Sequence, residues 1–361
     1  MKMEFDEVLE KARDEEITRE EALYLFENTR RYDKALELFK IASKVRDDET
    51  GAIYKLDGCL GPITPCTLDP LCKYCFAANP KTAWSTESVL TLDEIPLGAK
   101  MIEETGTRSV HLGGGSRLDA EGVEVIEAVK AVKKATNLRI RVNVGPGLSE
   151  DTLKELKKAG VKEVGSLLET TNGKLFGEVK PGDSLEVRKK LAGMIDEVGL
   201  GLVGGFMVGM SELSDDMEVR KVQYEDYVNH MFYIKQFANL RCFAVYGFTP
   251  RPGTPLEDLL PTSPLEIARA TAIARLIFRD VDIDMCSGEI PLRVLSGANR
   301  AFLDGASVHK RGSTGGRPVV GARVEEIGSI ELIDFLPVTT KLIRNTGMDV
   351  EPGIAEKYRG E

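Results

Sequence analysis

The chain has 361 residues, 42% of them hydrophobic and 29% charged, with a net charge of −10. This is ordinary globular composition, and its acidic balance argues against a general affinity for nucleic acid or anionic membranes. No apolar run of about 18 residues and no signal peptide is legible, so the sequence points to a soluble, cytoplasmic protein without a membrane partner.

Residues 1–50 read as a helical extension. Thr18-Arg19-Glu20-Glu21 forms a capping box ahead of Ala22, Leu23, Leu25 and Phe26. A second apolar stripe runs through Ala35, Leu36, Leu38, Phe39, Ala42 and Val45. From residue 51 onward, short β-rich runs alternate with longer helical patterns. Candidate strands cover 53–56, 109–112, 139–144, 163–168, 201–208, 241–246, 281–285 and 301–303. Helical patterns cover 118–135, 150–159, 185–198 and 264–279. About eight strand–helix units predict an α/β fold, a (βα)8 TIM-type barrel over 51–330, with 331–361 as a C-terminal segment. A doubly wound open sheet is the alternative, and whether the C-terminal segment covers the barrel mouth stays open.

The most informative segment follows the first strand. Cys66, Cys72 and Cys75 stand within ten residues of one another, in a stretch with Pro65 and Leu68-Asp69-Pro70 that reads as an irregular loop. Three thiolates on a short loop suit an iron–sulfur cluster that leaves one iron open to a second molecule. A structural zinc site would want a fourth ligand. Cys59 lies seven residues upstream of Cys66 and is a candidate, whereas His111, His230 and His309 are all distant in sequence. A disulfide framework is disfavoured in a chain long enough to build its own core.

Barrels collect function at the carboxyl ends of their strands. Several clusters sit there: Gly113-Gly114-Gly115-Ser116, Asn143 with Gly145-Pro146-Gly147, Glu169-Thr170-Thr171-Asn172, and Gly247-Phe248-Thr249-Pro250. Taken singly, each is also readable as a plain turn.

The cysteine loop, the triple glycine and the later strand ends together resemble the radical S-adenosylmethionine (SAM) enzymes, over about residues 17–304. The likeness is closest to the branch containing biotin synthase, HydE and PylB, which are full (βα)8 barrels. Their cysteines are usually spaced by three and then two residues, whereas here the spacing is five and then two. The wider spacing resembles the HmdB-type maturases linked to the iron-guanylylpyridinol cofactor of [Fe]-hydrogenase.

The resemblance implies two cofactors, a [4Fe–4S] cluster on Cys66, Cys72 and Cys75, and SAM on its open iron. It implies that Tyr74 packs near adenine, though a loop anchor would look the same. Gly113, Gly114 and Gly115 would meet the methionine amino group through their backbone, with Ser116 where the family carries Glu. Glu169 would hold the ribose hydroxyls, and Arg188 the SAM carboxylate, unless Arg188 belongs to a solvated helix face beside Lys189 and Lys190. Gly205-Phe206-Met207-Val208-Gly209-Met210-Ser211-Glu212 matches a family motif whose apolar residue, here Met207, touches adenine. Val245 and Tyr246 would offer backbone groups to the adenine edge, and Asn143 would reach SAM or substrate.

For the substrate, His111 and Arg117 flank the triple glycine, although a strand histidine is as often structural. Cys242 and Cys286 stand alone on separate strands, which disfavours a second cluster and sulfur insertion. The loop His309-Lys310-Arg311-Gly312-Ser313-Thr314-Gly315-Gly316-Arg317 suits an anion or a plain surface turn. The implied partners are a small molecule, with a pyridinol precursor as the HmdB-type expectation, and a reductant protein such as a ferredoxin or flavodoxin. A non-catalytic iron–sulfur scaffold is the competing class.

Overall fold

The computed structural model describes residues 4–75, 86–210, 216–286, 288–312 and 321–359. Three helices, Phe5–Asp14, Arg19–Asn28 and Tyr32–Thr50, lead the chain. The expected capping box is formed, with the Glu21 amide donating to Thr18 Oγ1 at 3.2 Å and the Thr18 amide donating to Glu21 Oε2 at 2.8 Å.

The barrel strands are β1 (Ile53–Leu56), β2 (Gly58–Leu60), β3 (Ser109–Gly113), β4 (Arg139–Asn143), β5 (Glu163–Gly165) and β6 (Gly201–Val208). They continue with β7 (Leu240–Gly247), β8 (Asp282–Met285), β9 (Arg300–Ala301) and β10 (Ala306–Lys310). β1 and β2 are one strand interrupted at Asp57. β1 pairs with β9 through Lys55 and Arg300, while β2 pairs with β3 through Cys59 and His111 and with β10 through Cys59 and Ser307. From β3 to β9 each strand pairs with the next in parallel. The series returns to its start, so the sheet is a closed ring of eight parallel strands, with β1–β2 and β9–β10 each counting as one. This rules out the open sheet.

Side chains alternate as a closed barrel demands. Outward residues such as Leu56, Val110, Leu112, Ile140, Val142, Leu202, Phe243, Ile283 and Met285 are buried against the surrounding helices. The leading helices pack on two of those, Met217–Lys235 and Pro264–Phe278. The first of these shows no clean apolar pattern because its buried stripe includes Arg220, Gln223, Tyr224, Tyr227 and His230. Helix Glu94–Glu104 covers β2 and β10.

The C-terminal part first runs along β10 and only then reaches the amino-terminal end of the barrel. β11 (Arg323–Ile327) and β12 (Ile330–Asp334) form an antiparallel extension on β10. β13 (Asp349–Val350) then pairs with Ile53 and Tyr54 at the start of β1. Arg139, at the start of β4, donates to Glu351 at 2.9 Å. The mouth that carries the cysteine loop lies at the opposite end.

Candidate functional site

The cysteine loop leaves β2 and lies across the carboxyl ends of the neighbouring strands. Its backbone is tied at both sides: Ile63 N–H to Gly113 O at 2.8 Å, Gly115 N–H to Thr64 O at 2.9 Å, and Thr67 N–H to Ser116 O at 3.0 Å. Further along, Lys73 N–H donates to Val179 O at 2.9 Å and Leu256 N–H to Lys73 O at 3.3 Å. Two approaches are too close for any side chain. A Cβ on Gly115 would stand 2.2 Å from the Cys66 nitrogen, and one on Gly182 would stand 2.1 Å from the Pro70 carbonyl oxygen. The triple glycine therefore shapes the floor under the loop.

Cys72 and Cys75 share a turn, with the Cys75 amide donating to Cys72 O at 3.2 Å. Desolvation pushes the Cys72 thiol up to about 12, against the opposing pull of Lys180. Among the described residues no three His, Cys, Asp or Glu side chains converge on a single ion. A cubane takes one thiolate per iron, at separate corners, so three spaced thiols on a locked loop above a glycine floor fit a cluster better than one metal ion. Cys59 sits in the barrel wall, in register with His111 and Ser307.

Beside the loop lies a buried charge network that the sequence did not announce. Lys180 Nζ stands 3.0 Å from Glu169 Oε2 and 3.2 Å from Asp183 Oδ2. Arg188 donates to Asp183 at 2.8 Å, to Leu167 O at 2.8 Å and to Ser116 Oγ at 2.9 Å. Glu169 has φ 62°, the left-handed region that is costly for a residue with a Cβ. It is held there by an isolated bridge to Phe206, with Met207 N–H donating to Glu169 O at 2.9 Å. Tyr74 is half-buried near this group, and desolvation together with the Glu169 carboxylate holds its phenol above the usual range.

Tyr74, Glu169, Arg188, Ser116 and the triple glycine thus gather around the cysteine loop. Met207 and Tyr246 are cross-strand partners on β6 and β7, on the inward face by alternation, while Val245 points outward into the core. Asn143 ends β4 and packs on Gly165. Arg188 is engaged by groups of the chain itself, not a solvated face, and Ser116 acquires a partner that its isolated sequence position did not suggest. Arg117 departs from its expected lumenal position: it pairs with Glu124 in the first turn of the outer helix Val123–Ala135. Ser211 and Glu212 of the glycine motif, and 313–317 of the basic loop, lie outside the described residues.

Below the mouth, the lumen holds polar groups without hydrogen-bond partners among the described residues: both Asp284 carboxyl oxygens, Tyr246 Oη, His111 Nδ1 and the outer nitrogens of Arg141. Burial pushes Asp284 up to about 7 and drives His111 down to about 3, so His111 is neutral and stacks on Phe302 at 4.8 Å. Cys242 and Cys286 are also inside, their thiols raised by burial. The floor beneath is closed by ion pairs. Arg300 donates to Asp57 at 2.8 Å and to Glu163 at 3.0 Å, Arg141 donates to Glu163 at 3.0 Å, and Lys55 donates to Asp282 at 2.6 Å. Burial alone would raise Asp57, but Arg300 and Arg141 hold it at about 2.

Residues 62–221 match the model of the radical SAM superfamily. A protein of Methanocaldococcus jannaschii, described as uncharacterized, is 39% identical over 271 residues, covering 74% of this chain and 68% of its own length. The chain belongs to the radical SAM superfamily. This radical SAM chain is also 27% identical over 235 residues to a biotin synthase of Methanococcus aeolicus, covering 63% of this chain and 68% of that protein. Its fold is similar to methylornithine synthase PylB, with a TM-score of 0.74, 20% identity, and coverage of 97% and 99% of the two chains. It is also similar to the hydrogenase maturase HydG of Carboxydothermus hydrogenoformans, with a TM-score of 0.73, 18% identity, and coverage of 98% and 81%. As a radical SAM enzyme, it uses a [4Fe–4S] cluster and SAM to generate a 5′-deoxyadenosyl radical that acts on a small molecule. Among the described residues no helix is long and apolar enough to cross a membrane.

Proposed function

We propose that this enzyme is an HmdB-type maturase that builds or rearranges part of the guanylylpyridinol ligand of [Fe]-hydrogenase. The observation that carries this reading is the spacing of Cys66, Cys72 and Cys75, five residues and then two, in a loop locked over the barrel mouth. In this reading the three thiolates hold the cluster and an external reductant protein, a ferredoxin or flavodoxin, supplies the electron. Tyr74, Gly113–Ser116, Asn143, Glu169, Met207 and Tyr246 line SAM, and Arg188 steadies its carboxylate end together with Ser116, whereas Val245, facing the core with its carbonyl taken by Cys286 N–H, is left out. His111 presents a neutral imidazole to the substrate. The ion-paired floor supports the reading physically, because a carbon radical needs a chamber shielded from water.

The test is anaerobic reconstitution followed by dithionite reduction and SAM addition. A cluster spectrum that shifts with SAM, with 5′-deoxyadenosine formed, is expected. Turnover of candidate pyridinol precursors in preference to amino acids then supports the maturase. A second reading, a PylB-like mutase with an amino acid substrate, is favoured by Asp284, whose unpartnered buried carboxyl suits a substrate ammonium. Turnover of amino acids alone would select it. A protein that hands its cluster to an apo-partner and ignores SAM would return the scaffold class to the lead.

A further inference from the structure

The segment that follows the short helix Gly173–Val179 runs directly along the cysteine loop. Lys73 donates its amide to Val179 O at 2.9 Å, and Gly182 leaves no room for a Cβ against the Pro70 carbonyl. Between those two contacts sits Lys180, whose side chain is 2% exposed. Its ammonium stands 3.0 Å from Glu169 and 3.2 Å from Asp183, and 4.9 Å from the centre of the Phe176 ring. The Lys73–Val179 contact joins the residue after Cys72 to the residue before Lys180.

Glu169, Lys180, Asp183 and Arg188 together form a quartet with no net charge. Burying four charges is a poor route to stability, since desolvation offsets most of the mutual attraction. The quartet's position, with Lys180 on the side of Cys72 and Arg188 on the side of Ser116, gives it a different use. Three thiolates on a reduced cluster are a concentration of negative charge in a dry site. An ammonium there favours arrival of one more electron, whereas the two carboxylates alone would oppose it.

We propose that Lys180 is a positioning residue that keeps the cluster reducible, by balancing Glu169 and Asp183 beside Cys72 while it fixes the Glu169 carboxylate in its left-handed turn. This rests on Cys66, Cys72 and Cys75 being the cluster ligands. It requires no contact between Lys180 and the iron, only charge at short range across a water-poor gap.

The experiment is a redox titration of the reconstituted protein without SAM, followed by electron paramagnetic resonance, for the wild type and a charge cycle of variants. Lys180→Met should make reduction at least tenfold less favourable, a downward shift of about 59 mV for a one-electron couple. Glu169→Gln, which removes the opposing charge, should shift the midpoint upward. The double variant should return close to wild type, and Lys180→Arg should stay there. A residue that serves only to hold the fold would lower the urea midpoint and leave the potential alone. Shifts of Lys180→Met and Glu169→Gln in the same direction, or none in either, overturn the proposal. If Lys180→Met does not fold, Asp183→Asn carries the same sign test, with an upward shift expected. Cys72→Ala checks the underlying reading separately: loss of the cluster upholds it, and a full complement of iron with an unchanged spectrum refutes it whatever Lys180 does.

Discussion

The two ends of the barrel are built from the same strands and have opposite character. At the amino-terminal end Lys55, Asp57, Glu163, Asp282 and Arg300 pair with one another and with Arg141 Nε, and β13 pairs with the start of β1. At the carboxyl end Glu169 is held in a left-handed conformation, and the cysteine thiols sit on a loop that touches the segments at Gly113–Ser116, Val179–Gly182 and Leu256. Just below that mouth, Asp284, Tyr246 and His111 carry unpartnered buried atoms. An unpaired buried polar group costs about 1–3 kcal/mol, so a set of them converging in one lumen suits a place where something else is to bind. The floor spends its charges on closure, and the mouth holds its polar groups open to ligands.

The sharpest way to break the contrast is at the mouth. Cys72→Ala should abolish SAM-dependent formation of 5′-deoxyadenosine, read by chromatography, with urea stability barely altered. Arg300→Met should do the reverse. It strips Asp57 and Glu163 of a shared cation in a dry site, for an expected loss of about 3–5 kcal/mol in urea unfolding, while the cluster spectrum is retained.

Acid titration separates the ends more finely. Asp57 is held at about 2, below the unfolded value of about 3.9. Its contribution is therefore present above about pH 4 and is lost as pH falls toward 2. Asp284 has the opposite sign, because its folded value of about 7 lies above the unfolded one. Its favourable contribution exists below about pH 4 and disappears as pH rises toward 7. Asp284→Asn should consequently stabilise the protein relative to wild type by roughly 2 kcal/mol more at pH 8 than at pH 5, measured by urea unfolding at the two pH values. A flat difference across that range would remove Asp284 from the set of ligand-seeking groups. The smallest effect lies far from both ends: Thr18→Ala, which removes the cap of the second helix, should cost about 1 kcal/mol and leave chemistry untouched.

Much of this was legible from residue order. The alternating patterns found most barrel strands near their observed positions because outward residues such as Val110, Leu112, Ile140 and Val142 repeat with the period of the pleat, but not β2 or β10, whose His309 and Lys310 read as a loop. The capping box at Thr18 was legible because its partners are three residues apart. Helix Met217–Lys235 was missed because its buried face is aromatic and polar, so hydrophobic periodicity had little to detect. In the site, the three cysteines and the glycine run declared themselves by spacing. Lys180 did not, since nothing in Val179-Lys180-Pro181-Gly182-Asp183 says that its side chain turns back eleven residues to Glu169.

By itself, the order of residues determined the barrel's strands, the thiol loop and the chemistry that such a loop invites. These depend on short-range periodicity and on side-chain type, which a linear sequence states directly. Tertiary structure alone decided which charges are paired and which are left open. It carried Arg300 to Asp57, Arg188 to Asp183, and the last strand to the end opposite the cysteines. Those outcomes depend on where closure of the ring puts distant segments, because burial makes the nearest opposite charge the obligatory partner, however far away it lies along the chain.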